Sequence, residues 1–346
     1  MSNQHDTDIA RFDTLLVCGV GLIGGSLARA ARDAHRQGQI RGAGRIVGVD
    51  RDPAALARAC ALGVIDEGVV FDGASSAAAP GVTSSTGGRA AADNAPPAIT
   101  AAEGTSLSKQ VGQADVIVLC MPVAASVGLL RCIAAMMRAD AVLTDVGSTK
   151  QDICAAAAAT LGPLVGRFVA GHPIAGAASS GVEASRADLF VGRDVILCPI
   201  DGQHAGPTDV VTALWRAIGA RVHTMPAATH DAVFASVSHL PHLLAFAYVT
   251  HMLETTDPAQ RFALAGTGFR DFSRIAASSP DMWRDICVAN RDAILAEIDA
   301  YSSVLARLRA AIDSGATAQT QALFERARDA RAAWTMRGDQ TPAKNP

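Results

Sequence analysis

The sequence is short of lysine. Lys109, Lys150 and Lys344 are the only three in 346 residues, against abundant arginine and alanine. That skew reads as coding bias and carries no function by itself. With 30 basic and 33 acidic side chains the formal charge is −3, so no basic field recruits nucleic acid, and no such partner is expected. The seven cysteines (Cys18, Cys60, Cys120, Cys132, Cys154, Cys198, Cys287) are odd in number and lack any Cys-x-x-Cys spacing. Most lie in apolar segments, which reads as reduced core thiols, and no metal site is expected. The start, MSNQHDTDIARFD, lacks the apolar core of a signal peptide. The longest uncharged apolar stretch, residues 116–130, falls short of the roughly 20 residues of a membrane helix. These absences lead to the expectation of a cytoplasmic chain with no membrane partner. A hydrophobic fraction of 49% leaves ample material for a core, and the length suggests about two domains.

Strand and helix signals alternate as far as residue 226. Short apolar runs at 14–18, 45–49, 116–120, 141–144, 168–170, 194–198 and 221–225 are candidate strands, with helical stretches between several of them. Such alternation predicts an α/β fold with a doubly wound parallel sheet. Residues 71–110 interrupt it with Ala, Ser, Gly, Thr and Pro and few large apolar groups. They cannot bury enough surface to offset ordering entropy and read as a disordered surface insertion. From His230 the character changes to Ala/Leu/Arg helical periodicity, with helices expected near 230–253, 280–312 and 318–335 and a frayed tail from 338. The expected organisation is a nucleotide-binding domain over 13–227, a helical domain over 228–312, and a C-terminal helix and tail over 313–346.

Two motifs carry chemistry. The first, Gly-Val-Gly-Leu-Ile-Gly at 19–24, lies between a strand and a helix, as a dinucleotide-binding turn requires. Gly19 permits the tight turn, Gly21 lets the backbone approach a pyrophosphate, and Gly24 allows close packing of the helix. Leu22 and Ile23 open that helix, whose N-terminus offers unpaired N–H groups to an anion. The second strand ends in Asp50, placed to accept hydrogen bonds from both adenosine ribose hydroxyls and to repel a 2′-phosphate. NAD is therefore the expected cofactor, with Arg51 partly offsetting the repulsion of NADP. Met121 and Pro122, after the strand at 116–120, are expected to complete the cofactor contacts. The N-terminal domain is accordingly Rossmann-type. The second motif is a solitary histidine in Gly-His-Pro-Ile-Ala-Gly at 171–176. His172 follows a strand at the carboxyl edge of the sheet, where ligands of open α/β folds bind, and it titrates in the range of a general base.

Several blocks together are recognisable. GVGLIGGSLA, TDVGSTK at 144–150, GHPIAG followed by SGVE, VSHLPHLLAFA at 237–247 and GFRDFSRIAASSPDMWRDI at 268–286 occur in one order. In these the chain resembles the prephenate and arogenate dehydrogenases of tyrosine biosynthesis, over roughly residues 13–310 apart from the insertion. The resemblance implies an NAD-dependent oxidoreductase acting on a cyclohexadienol that carries a ring carboxylate. Hydride leaves the hydroxyl-bearing carbon, the hydroxyl proton is withdrawn, and loss of CO2 aromatises the ring. It also implies a homodimer formed through the helical domain. His172 takes the role of proton acceptor, and Ser148 that of the serine bonded to the histidine and the nicotinamide. Arg274 takes that of the arginine pairing with the ring carboxylate, a task suited to a planar fork. His242 is a substrate contact, while His230 and His239 either support it or cap. At 100° per residue, Asp231, Ser238 and His242 lie within about 40° of one helix face and are expected at the substrate. Pro241 is expected to kink that helix by removing the bond to the carbonyl of Val237. Arg270, with Asp271 and Trp283, frames the site or a subunit contact, or Arg270 serves only as a salt-bridge partner.

Where many relatives carry Glu or another polar residue after GHPIAG, this chain reads Ala177-Ala178-Ser179-Ser180. Prephenate and arogenate both stay open as substrates. No stretch remains for an appended regulatory domain, so feedback by tyrosine is expected to act at the active site. Another dehydrogenase type with a helical second domain would use a catalytic lysine, against which the scarcity of lysine counts. A non-catalytic NAD-binding sensor would not need His172, Ser148 and Arg274 together.

Overall fold

The computed structural model describes residues 10–42, 44–71, 106–176, 179–200 and 205–338. Its strands are β1 (Ala10–Arg11), β2 (Thr14–Cys18), β3 (Ile40–Arg41), β4 (Arg45–Asp50), β5 (Glu67–Val70), β6 (Val116–Leu119), β7 (Val142–Asp145), β8 (Phe168–Pro173), β9 (Asp194–Pro199) and β10 (Arg221–Thr224). β1 and β3 form a small ladder; the other eight form one sheet in the order β10-β9-β8-β7-β6-β2-β4-β5. In β2, Leu15 and Val17 belong to the core on one face and Leu16 and Cys18 to the core on the other. Every residue of that strand is buried, as a central strand covered on both sides requires. All seven cysteines are free thiols; Cys18 and Cys198 are buried while Cys60 is exposed, and burial pushes the Cys18 thiol up to about 12.

The sheet is not parallel throughout. β8 runs parallel to β7 but antiparallel to β9, with His172 opposite Ile196, and β10 is parallel to β9. A parallel neighbour needs a crossover of a dozen or more residues, usually a helix. Between β8 and β9 the described residues hold only the 3-10 turn Val182–Ala184, so the chain returns beside the strand it left. β8 also extends through Pro173, which places His172 on the strand instead of after it.

The helices beside the sheet are α1 (Leu22–Arg36), α2 (Pro53–Ala61), α3 (Leu107–Gln113), α4 (Val123–Ala134), α5 (Gln151–Thr160) and α6 (Ala205–Ala217). Asp52 caps α2 by accepting from the Ala54 N–H, with Pro53 in the first turn. Ser106 caps α3, whose Gln110 and Val111 are buried. Residues 106–110 are therefore structured, in contrast to the sequence expectation, because Leu107 and Val111 supply the apolar face that the rest of the stretch lacks. Residues 72–105, the remainder of the expected insertion, lie outside the described residues.

One continuous helix spans Ala227–Leu253. It consists of α7 (Ala227–Phe234), a π turn (Ala235–His239) and α8 (Leu240–Leu253). By length and composition it is apolar enough to cross a bilayer, unlike residues 116–130, although its buried Asp231 bonds to the start of α5. There follow α9 (Pro258–Ala263), α10 (Thr267–Ser273), a 3-10 turn (Arg274–Ala277), α11 (Pro280–Ala289), α12 (Arg291–Asp313) and α13 (Thr317–Gly338). The single helix expected over 280–312 is two, broken at Asn290. The Asn290 amide donates to the carbonyl of Asp231 and to Nδ1 of His239. The chain divides into compact units at residues 1–291 and 292–346, so α7 to α11 belong with the sheet. The change of character near residue 228 marks the end of strand–helix alternation, while bonds such as those of Asp231 run across it.

Candidate active site

Five strand ends line up along one edge of the sheet. In the order β8-β7-β6-β2-β4 they present His172, the turn with Ser148, Met121 with Pro122, the glycine turn, and Asp50. Four strand spacings cover about 19 Å. At one end of this row, Gly19, Gly21, Asp50, Arg51, Met121 and Pro122 line a cavity of about 510 Å³ together with Phe71 and Cys120. Gly19 has φ +98°, and a Cβ there would lie 2.5 Å from the carbonyl oxygen of Cys120. A Cβ on Gly24 would lie 2.0 Å from the Gly19 carbonyl oxygen, whereas one on Gly21 would meet nothing within 4 Å among the described residues. Gly19 and Gly24 are thus fixed by the protein's own packing, and Gly21 leaves open space in front of the helix. Leu22 and Ile23 begin α1, whose first turn has no side-chain cap and no acidic residue. Its free N–H groups suit a pyrophosphate. Asp50 accepts from the Val20 N–H at 2.9 Å, which ties the ribose end of the cavity to the glycine turn. The residues present fit a dinucleotide.

At the other end of the row, His172 is half-buried, and its Nδ1 lies 2.8 Å from Nε2 of His230. Nδ1 of His230 lies 2.8 Å from Oδ1 of Asp231. The same oxygen accepts the Lys150 N–H, and Oδ2 accepts the Gln151 N–H, both at 2.8 Å. Asp231 therefore caps α5, which has no cap of its own. Phe234 packs against both rings, 4.8 Å from His172 and 4.4 Å from His230. Burial, reinforced by His230, Lys150 and His239, holds the His172 imidazole well below the ordinary histidine range. Burial lowers His230 as well, against the pull of Asp231. Burial alone would raise Asp231, but the bonds from His230, Gln151 and Lys150 outweigh it and its carboxyl stays below its usual value.

The strand before His172 is locked from behind. Lys150, wholly buried, donates from Nζ to Oδ2 of Asp145 at 2.5 Å and to the Gly171 carbonyl at 2.7 Å. Oδ1 of Asp145 accepts the Gly171 N–H, and Oδ2 accepts the Gly147 N–H in the turn that carries Ser148. Ser148 is half-buried in that turn, at the end of the strand neighbouring β8.

The expected common face of Asp231, Ser238 and His242 does not form. A π turn closes i→i+5 bonds in place of i→i+4. It holds one more residue than an α turn and rotates the residues after it by about 100°. Asp231 points to α5 and His230 and is fully buried, so it supports the histidine from behind. His239 takes the place on the Asp231 side, bridged by Asn290. Among the described residues its Nε2 has no partner, and burial holds its pKa down at about 4. His242 stacks on Trp283 at 4.0 Å and 24°, and donates from Nδ1 to the Ser238 carbonyl at 2.8 Å. That bond occupies a carbonyl close to Pro241, which has no N–H to give. The irregularity thus precedes Pro241 as a widened turn. Burial lowers His242, the Ser238 bond opposes this, and the Arg274 guanidinium lowers it further. Arg274 opens the 3-10 turn after α10 and is exposed, as is Arg270 on α10; neither pairs with an acidic side chain among the described residues. The Ser238 side chain is half-buried.

Sequence reading left His230 between support and capping and did not single out Lys150 or Asp145. The only signal for the latter two was their place in TDVGSTK, together with the rarity of lysine. Ala177 and Ala178 lie outside the described residues.

Two family models match the chain, "Prephenate dehydrogenase, nucleotide-binding domain" over residues 89–224 and "Prephenate dehydrogenase, dimerization domain" over residues 226–326. A prephenate dehydrogenase of Bacillus subtilis is 31% identical over 322 residues, 92% of this chain and 75% of that protein. A cyclohexadienyl dehydrogenase of Zymomonas mobilis is 34% identical over 208 residues, 59% of this chain and 70% of that protein. Among solved structures, a prephenate dehydrogenase from A. aeolicus in complex with hydroxyphenyl propionate and NAD+ has a TM-score of 0.76 at 30% identity, covering 93% of this chain and 98% of its own.

Proposed function

The chain belongs to the prephenate dehydrogenase family, and from that premise we propose that it is an NAD-dependent prephenate dehydrogenase of tyrosine biosynthesis. The observation that carries the reading is the row of strand ends, with a dinucleotide cavity at Gly19, Gly21 and Asp50 and the half-buried imidazole of His172, its pKa held down by burial, at the other end. The structural neighbour with NAD+ and a hydroxyphenyl acid supports the same cofactor and the same kind of ring.

Bound NAD supplies the hydride acceptor for the hydroxyl-bearing carbon. The α1 N-terminus and Asp50 hold its pyrophosphate and ribose, with Arg51, Met121 and Pro122 around them. His172 takes the hydroxyl proton, for which a neutral ring is required. Ser148, on the neighbouring strand end, orients His172 and the nicotinamide. Arg274 holds the ring carboxylate as an ion pair, which leaves it unprotonated and free to depart as CO2. His242, backed by Trp283, contacts the substrate, with Ser238 and Arg270 at the margin. Asp231 acts at the substrate only through His230.

The unit over residues 292–346 exposes Leu295, Tyr301, Val304, Leu305, Ile312, Phe324 and Trp334. So many large apolar side chains in one small unit fit burial against a second copy, the homodimer that the dimerisation-domain match suggests. Dependence on NAD is consistent with a cytoplasmic enzyme.

NADH formation with prephenate and with arogenate, compared side by side, tests the reading. A higher kcat/KM for prephenate is expected. A preference for arogenate, or equal use of both, supports the second reading that the cyclohexadienyl dehydrogenase relative favours. No NADH from either overturns both.

A further inference from the structure

The three groups behind the reacting nitrogen form a chain whose protons can be placed one by one. Asp231 has no proton to give: its oxygens already accept the Lys150 and Gln151 N–H groups at the start of α5. The partial positive charge of that helix end favours the carboxylate further. Its contact at 2.8 Å with Nδ1 of His230 must then be an N–H donated by the histidine. A neutral His230 has one ring proton, so its Nε2 is bare and accepts. The 2.8 Å contact to His172 is accordingly a bond donated by Nδ1–H of His172. That leaves Nε2 of His172 as the nitrogen with a free lone pair. His230 and Asp231 are both wholly buried, so water does not compete for these bonds.

We propose that His230, held by Asp231 on the N-terminus of α5, is a positioning residue that fixes His172 as its Nδ1–H tautomer and so keeps Nε2 as the base. This rests on the reading of His172 as the proton acceptor. In the step itself the substrate O–H bond breaks and the Nε2–H bond of His172 forms, while the hydride leaves with its electron pair for the nicotinamide. The Nδ1–H bond of His172 stays in place and strengthens as the ring becomes cationic, because a charged donor makes the stronger bond. Without an acceptor at the His230 position the Nδ1–H of the cationic ring is left unbonded in a dry site, which raises the barrier to proton transfer, and part of the neutral His172 also carries its proton on Nε2, where it cannot act. Substrate and cofactor contacts are untouched, so the loss belongs to turnover.

The test combines 15N NMR of the histidine rings in the full-length enzyme with steady-state kinetics of three variants. The wild-type His172 is expected to carry its proton on Nδ1; finding it on Nε2 overturns the proposal without any variant. His230→Leu removes the acceptor at similar volume, and a loss of at least about 100-fold in kcat is expected, with KM and NAD affinity within threefold. His230→Gln places an amide oxygen near the old Nε2 and is expected to keep kcat within tenfold of wild type. Turnover of His230→Leu within threefold of wild type overturns the proposal. So does an equal loss in both His230 variants, since the acceptor is then not what matters. His172→Ala separates this from the function itself. If that variant keeps full turnover, the assignment of the base is wrong; if it is inactive while His230→Leu is active, only the positioning role fails.

Discussion

Lys150 and Asp145 form an ion pair sealed from solvent, and both partners also bond the backbone that leads to His172. The Lys150 ammonium bonds the Gly171 carbonyl, and the Asp145 carboxylate accepts the N–H of the same residue. Removing one partner of such a pair strands a buried charge. Lys150→Met is expected to lower the unfolding free energy by about 3–5 kcal/mol, measured by denaturant titration. A loss below about 1 kcal/mol would show that the pair is dispensable.

His172→Ala is expected to lower kcat by roughly 10²–10⁴ with little change in KM, because proton acceptance belongs to the transition state. The structure also sets the pH profile. The active ring is the neutral one, and its pKa is held well below 6.5. Activity is therefore retained as pH falls through 6.5 and lost only as it falls further, through the depressed value. A kcat/KM profile with its acid limb at 6.5 or above contradicts this, as does a variant that keeps the wild-type limb.

Arg274→Ala is expected to act chiefly on KM, since the carboxylate it holds is present before and during reaction. The rise should be on the order of 10- to 100-fold, matching the 1.5–3 kcal/mol of a charged hydrogen bond. NAD affinity, measured by fluorescence titration, should stay unchanged.

Asp50→Ser is expected to narrow the preference for NAD over NADP, by freeing Arg51 to meet a 2′-phosphate. The comparison is of kcat/KM for the two cofactors. A wild-type enzyme that prefers NADP contradicts the placement of the ribose at Asp50.

His239 makes stability depend on pH. Unfolded, it takes up a proton near 6.5; folded, only near 4. The unfolded state binds more protons in that window, so stability falls as pH drops from 6.5 to about 4, and this group adds no further loss below that. The full effect is about 3 kcal/mol. His239→Gln should flatten the fall, as followed by melting temperature between about pH 7 and 4.5.

Much of the cofactor end was legible in sequence because its signals are local. A strand, a glycine turn and a helix follow one another directly, and Asp50 closes the next strand. Strand direction was not legible: an apolar run reads the same either way, and only the missing crossover before β9 decides it. The face shared by Asp231 and His242 was misjudged because a constant 100° per residue was carried through Ala235–His239. Asn290 hid the break between α11 and α12 because its amide serves Asp231 and His239, which lie more than 50 positions back in the chain. His230 was ambiguous for the same reason, since its meaning depends on a ring 58 positions away.

The π turn has a consequence for how this helix can change over evolutionary time. Substitutions at Ser236 or Val237, which are exposed, leave the winding of the helix alone. A one-residue deletion between Phe234 and Leu240 does not: it restores even winding and swings His242 off the Trp283 ring while His230 stays where Asp231 holds it. Chain length in this short stretch is therefore under tighter constraint than residue identity, and drift here should proceed by replacement, with gaps confined to the loops on either side of the helix.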